Sequence, residues 1–408
     1  MPDREVDFLL IGGGVAAASC ARTLREEGAD GSILVVGREA DPPYERPPLS
    51  KTYLAGRDGR DDALFLEPDW WQRNDVELAT RTSAMKLDPG ERTARLSTKE
   101  EVRFGKALLA TGANVRRLRV DGSDLDGLHY LRAFANADAI REDAKSAGRV
   151  VLIGGSYIGC ELAATLSGLG VECSILMLED VTLERPFGPD VGRFVMDRLR
   201  ERGVEIHGGD ELDRFEGADG RVARVVSKGG LELEAGCVVL GTGVVPDVML
   251  ARQAGLELGE RGGVACSSTL ETSAPGVFAA GDMAEWDSPL HGGPARVEHF
   301  EVATEQGKTA ALNMLGRDRP HEVVPYFWSD LSEWATLEYV GVGAGEPVVR
   351  GSVDDGDFTA FYLDGDRLVA ALTLGRSGDL DHARRLIAEH AAPDRAALAD
   401  ERTDLAQL

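Results

Sequence analysis

Gly12, Gly13, Gly14, Val15, Ala16 and Ala17 form one run of small residues, and Gly154, Gly155, Ser156, Tyr157, Ile158 and Gly159 form a second. In such a run bare backbone N–H groups can approach a pyrophosphate, whose charge is then met by the amino end of the helix that follows. Each run has a carboxylate downstream: Glu39 comes 27 residues after Gly12, and Glu179 comes 25 residues after Gly154. These intervals are somewhat longer than the usual one of about 20 residues, but either acid could accept hydrogen bonds from a ribose. In the first run Gly12 allows the tight turn, Gly14 the close approach of phosphate, and Ala17 the packing of helix on strand. In the second run Ser156 takes the middle position, where a small hydroxyl still fits. One such run is also compatible with an ordinary strand–helix turn that binds nothing. Two of them in the same local pattern point to two dinucleotide sites.

The elements that must hold these runs are readable around them. Residues 6–11 (VDFLLI) predict a buried strand entering the first turn, an Ala-rich helix runs to about Glu27, and residues 32–36 (SILVV) predict the next strand. The second copy has a strand at 149–153 (RVVLI), a helix to about Leu169, and a strand at 172–178 with Glu179 at its end. Two further apolar stretches end in glycine: 107–113 (ALLATGA), with Thr111 and Gly112, and 276–282 (GVFAAGD), with Gly281 and Asp282. Asp282 would stand at the carboxyl end of a strand, where open α/β sheets bind ligands. Residues 237–240 (CVVL) run into Gly241, Thr242 and Gly243, the corresponding turn of the second copy. The pattern is α/β, with two Rossmann-like dinucleotide-binding units.

Composition narrows the function classes. A chain of 408 residues predicts two or three domains, and a formal net charge of −25 disfavours nucleic acid and anionic membrane as partners. The five cysteines, at 20, 160, 173, 237 and 266, lie at least 13 residues apart, so there is no CxxC redox pair or zinc knuckle. Sparse thiols of odd number fit a reduced, cytoplasmic setting. The first eleven residues carry Asp3, Glu5 and Asp7 and do not read as a signal peptide. No apolar run reaches the roughly 18 residues of a membrane helix. The seven histidines show no close paired spacing, so no metal is expected, and no G-x-S-x-G elbow is present.

Residues 44–51, Tyr44-Glu45-Arg46-Pro47-Pro48-Leu49-Ser50-Lys51, add a more specific signal. With the two glycine runs, they make the chain resemble the FAD-dependent pyridine nucleotide oxidoreductases. Within these it is similar to the NADH-dependent ferredoxin, rubredoxin and putidaredoxin reductases and to apoptosis-inducing-factor-like flavoproteins. Disulfide reductases of the superfamily carry redox cysteines in this stretch, and here there are none. The resemblance runs from Val6 to about Ile387. It implies a discontinuous FAD domain (1–113 and 244–322), an inserted NAD domain (114–243) and a C-terminal α+β interface domain (323–408). The tail after Ala392 reads as a frayed helix or as disordered.

The same resemblance implies the site residues. FAD would be held by Gly12, Gly14, Ala16 and Ala17, by Glu39 or its neighbour Arg38, and by Arg46, Lys51, Ala84, Thr111, Gly112, Arg132, Gly281, Asp282, Glu298 and Phe300, with Trp328 by the flavin ring. NADH would use Gly154, Gly155, Ser156, Tyr157, Ile158, Gly159, Glu179, Arg185 and Gly243. Resemblance to the ferredoxin reductases puts the acidic position on Met177, and resemblance to the apoptosis-inducing-factor-like members puts it on Glu179, the residue of the two that carries a carboxylate. Glu179 would favour NADH over NADPH by repelling a 2′-phosphate, and no arginine is read beside it. Lys51 and Glu161 are the implied catalytic pair, the lysine stabilising charge on the reduced flavin near N5 and the glutamate orienting it. The implied activity is hydride transfer from NADH to FAD, followed by single-electron transfer to a [2Fe–2S] ferredoxin or rubredoxin that feeds an oxygenase. The alternatives are an NADH oxidase or diaphorase with a small acceptor, and an NADH-responsive flavoprotein. Monomer and homodimer are both compatible with the sequence.

Overall fold

Strands made of continuous Val, Ile and Leu are expected where a parallel sheet is covered on both faces. In the computed structural model of the chain, in which residues 2–343 and 346–408 are described, they form two such sheets. The chain divides into two units.

The first unit comprises Met1–Arg46, Asp61–Asn114 and Val244–Pro325. Strand Arg4–Ile11 pairs in parallel with Ile33–Val36 on one side and Glu101–Leu109 on the other. Val76–Ala79 and Val277–Ala279 extend the parallel part, while Thr93–Leu96 and Ala84–Asp88 add antiparallel strands. Leu9, Leu10 and Val35 have no exposed surface. Helix Val15–Glu26 follows the first strand and packs on helix Phe300–Met314. Their closeness depends on Gly307, where a Cβ would lie 2.3 Å from the Ala16 carbonyl oxygen.

The second unit comprises Pro47–Arg60, Val115–Gly243 and Tyr326–Leu408. Its parallel sheet runs Glu205–His207, Glu172–Leu176, Arg149–Ile153, Cys237–Leu240 and Leu128–His129, with helix Tyr157–Gly168 after the Arg149–Ile153 strand. A five-stranded antiparallel sheet follows, ordered Tyr326–Leu331, Ala335–Gly341, Arg367–Leu374, Asp357–Asp364 and Val348–Ser352, and helix Ser377–Ala388 packs on it. One apolar core joins the two parts of this unit: Leu162, Ile175 and Phe187 share it with Leu337, Phe358 and Leu372.

Of the two readings of the tail, frayed helix or disorder, the structure is nearer the first, but the helix is docked and not frayed. Residues after Ala392 form helix Arg395–Ala399 and a 3₁₀ turn at Leu405–Gln407, with Leu398 and Leu405 buried. The buried Arg350 guanidinium donates to the carbonyls of Asp400 (2.7 Å), Glu401 (3.2 Å) and Thr403 (3.0 Å), so backbone acceptors and two leucines tie down a stretch whose composition reads as solvated. Among the described residues no helix is long and apolar enough to cross a membrane, and no group of three or more His, Cys, Asp or Glu could hold a metal ion.

Candidate functional site

In the first unit, Gly12 leaves strand Arg4–Ile11 with φ of 144°, and a Cβ there would lie 2.0 Å from the Ala110 carbonyl oxygen. Only glycine meets both demands. Gly14 occupies the N-cap of helix Val15–Glu26, and apart from adjacent backbone no described atom lies within 4 Å of a Cβ built on it. Among the described residues no side chain caps this helix, and its first turn holds no acid. Free N–H donors at a helix start, beside an open glycine, form a cradle that suits an anionic pyrophosphate. Ala16 and Ala17 are buried behind the turn.

Glu39 follows the next strand, and its carboxylate accepts from the Tyr44 hydroxyl and from Arg46, each at 2.6 Å. Burial pushes this carboxyl up, but Arg46 and the Tyr44 hydroxyl more than offset it, and the group ends below its ordinary value. Arg38 instead spans Asp247 (2.9 Å) and Asn114 (2.8 Å). Thr111 donates its hydroxyl to the Asp247 carbonyl at 2.6 Å, and Gly112 takes a φ of 70°. Gly281 and Asp282 follow strand Val277–Ala279, and the Gly281 amide donates to Gln306 at 2.8 Å. Arg296 bonds both the Asp282 carbonyl (3.1 Å) and Glu298 (2.5 Å). Phe300 opens helix Phe300–Met314, and Ala84 begins an antiparallel strand.

In the second unit Gly154 has φ of 106°, and a Cβ on it would lie 2.7 Å from the Gly241 carbonyl oxygen. A Cβ on Gly159 would lie 2.1 Å from the Gly154 carbonyl oxygen, so the helix passes close to the turn. Gly155 covers the buried Met177. Ser156 is exposed at the N-cap of Tyr157–Gly168, and Ile158 is exposed in its first turn. Among the described residues this helix too lacks a side-chain cap and a first-turn acid. Gly243 takes φ of 80°, and its carbonyl accepts from the Arg116 amide at 2.9 Å.

Beyond the strand, Glu179 meets Arg185 at 2.5 Å, with the arginine largely exposed. This corrects the reading that no arginine stands beside Glu179. Leu183 adopts a left-handed φ of 53° and starts the short helix Glu184–Phe187, which returns the chain toward the acid.

A buried charged cluster lies in the same unit. Lys51 Nζ is 2.7 Å from Glu161 Oε2, with the side chains 12% and 5% exposed. Ser50 donates to that same oxygen at 2.5 Å, and Ser329 donates to Oε1 at 2.8 Å. Thr165, one turn after Glu161, donates to the Ser50 carbonyl at 2.8 Å. Tyr157, one turn before it, meets Phe327 edge-on with ring centres 4.9 Å apart. Trp328 donates its indole N–H to Asp330 at 3.1 Å and stacks with Tyr326, and half-buried Arg132 precedes helix Phe134–Ala147. The sequence reading had no role for Ser50, Ser329 or Arg296. Ser50 lies inside the 44–51 motif, whereas nothing local marks Ser329.

Residues 6–307 match the family described as pyridine nucleotide-disulphide oxidoreductase, and residues 326–408 match the reductase C-terminal domain. The chain belongs to this family. It is 36% identical over 401 residues to the anthranilate 1,2-dioxygenase system ferredoxin–NAD(+) reductase component of Burkholderia cepacia, covering 96% of this chain and 97% of that one. The crystal structure of the ferredoxin reductase for the CYP199A2 system from Rhodopseudomonas palustris is 30% identical, with a TM-score of 0.94 over 98% of this chain and 99% of that one. The reductase chain of the covalent putidaredoxin reductase–putidaredoxin complex is 31% identical, with a TM-score of 0.93 over 100% and 98%.

The family's name includes a disulphide, but this member holds none among its described residues. All five of its cysteines are free and buried. Burial pushes each thiol up, Cys173 and Cys237 to about 12, which suppresses thiolate chemistry.

Proposed function

We propose that this oxidoreductase takes hydride from NADH onto FAD and passes electrons singly to a [2Fe–2S] ferredoxin or a rubredoxin of an oxygenase system, in the cytoplasm. The observation that carries this reading is the buried Lys51–Glu161 pair, which occurs in a chain with two uncapped glycine-turn helices. The named functions of the relatives support it, since they include ferredoxin–NAD(+) reductases of oxygenase systems.

The residues fit the two cofactors. Residues 1–113 and 244–322 would form the FAD domain, with Gly12, Gly14, Ala16 and Ala17 at the pyrophosphate and Glu39, held by Tyr44 and Arg46, at the ribose. Thr111, Gly112, Gly281 and Asp282 would complete its strand-end wall. Residues 114–243 would take NADH, with Gly154 and Gly159 shaping the turn and Glu179 receiving the adenosine ribose. The Glu179 carboxylate would disfavour a 2′-phosphate and so favour NADH, with Arg185 paired to it. Bound FAD would accept two electrons with a hydride and release them one at a time. Lys51 supplies fixed positive charge where negative charge develops, and Glu161 orients that lysine. No cysteine relay is required.

Rapid mixing of the purified yellow protein with NADH, followed by a panel of iron–sulfur proteins with cytochrome c as readout, tests this. Fast flavin bleaching and cytochrome reduction only with an iron–sulfur protein present are the expected result. Reduction of ferricyanide with no response to any iron–sulfur protein would overturn the assignment of the acceptor.

A further inference from the structure

Glu161 is oriented from a strand that no local motif connects to it. In strand Tyr326–Leu331 alternate residues share a face. Ser329 and Leu331 are buried on one face, which the half-buried Phe327 shares, whereas Trp328 and Asp330 bond to each other on the other. Phe327 meets Tyr157, and Ser329 meets Glu161, four residues further along the helix. Two strand residues span about 6.7 Å and four helical residues about 6 Å, so the two contacts are in step. The strand therefore grips the helix at two successive turns. Ser329, with 1% of its surface exposed, gives the only hydrogen bond recorded among the described residues to Glu161 Oε1, while Lys51 and Ser50 share Oε2.

We infer that Ser329 is a positioning residue for hydride transfer: its hydroxyl fixes the plane of the Glu161 carboxylate and, through it, the place of the Lys51 ammonium. A carboxylate held at one oxygen can rotate, and a lysine tied to that oxygen moves with it. Held at both oxygens by donors from different strands and turns, it presents a single site to the ammonium. The inference rests on the proposed role of the Lys51–Glu161 pair. It adds that the C-terminal domain takes part in setting the reactive geometry.

The test uses the FAD-loaded Ser329→Ala protein and measures flavin reduction by NADH, NADH affinity and the midpoint potential of the bound flavin. The expected result is a reduction constant about ten-fold lower, NADH affinity within two-fold of the parent, and a lower potential. Ser329→Thr should restore the reduction constant and the potential, and Ser329→Ala should change nothing further in a Lys51→Met background. Should Ser329→Ala fold poorly, Ser329→Cys, a weak donor of similar size, should show the same losses. Parent-like reduction and potential in the Ser329 variants, with slow Lys51→Met, would overturn the inference alone. Parent-like reduction in Lys51→Met as well would remove the role of the pair and the inference with it.

Discussion

Replacing Lys51 by Met keeps most of the apolar stem and removes the ammonium from a site where the two side chains are 12% and 5% exposed. Breaking a buried ion pair by deleting one partner costs about 3–5 kcal/mol, because the other charge stays buried. The Ser50 and Ser329 hydroxyls still donate to the abandoned carboxylate, which places the expected loss near the lower end, about 3 kcal/mol. With about 2.1 cal/mol/K of unfolding entropy per residue over 408 residues, each kcal/mol moves the thermal midpoint by about 1.2 °C, so it should fall by about 3–4 °C. The double variant Lys51→Met/Glu161→Gln removes the stranded charge and should recover most of that loss, while flavin reduction by NADH stays slow in both. Thermal melts at saturating FAD, paired with stopped-flow absorbance, separate the two effects. A single variant that melts within about a degree of the parent, or a double variant no more stable than the single, would refute the claim that these charges depend on each other. Reduction at the parent's rate would refute the chemical role of Lys51.

Three further outcomes are expected. Burial holds the His321 imidazole down to about 4, so the unfolded chain binds its proton first and stability should fall as pH drops from about 6.5 to about 4, by about 3 kcal/mol. His321→Gln should flatten that part of the stability–pH curve, and an unchanged slope would remove His321 as its source. Arg350→Met should release the tail, read as fast hydrogen exchange at 394–408, because three carbonyl acceptors lose their donor. Glu179→Ala removes the acid and frees Arg185, so NADPH use relative to NADH should rise by about an order of magnitude. Comparing kcat/KM for the two donors checks it.

The legible parts of this protein are those dictated by a few neighbouring residues. The small-residue run at Gly12–Gly14 between an apolar strand and an Ala-rich helix allows little else than a strand–turn–helix, and the helix runs Val15–Glu26. The second copy behaves in the same way, with helix Tyr157–Gly168. Backbone sterics and side-chain period act over a handful of residues, so they show directly in the order of residue types. The docking of the tail is not legible because its composition is polar, while two leucines and a run of carbonyls are enough to hold it on Arg350.

By itself, then, the sequence determined the α/β class, the two glycine turns and the acids that follow them, and the absence of any paired-cysteine motif. Tertiary structure alone decided which distant side chains meet. Ser329 reaches Glu161 across 168 residues, and Lys51 arrives from a different turn. Such meetings depend on how sheets and helices pack against each other, and no local period or propensity encodes a partner so far along the chain.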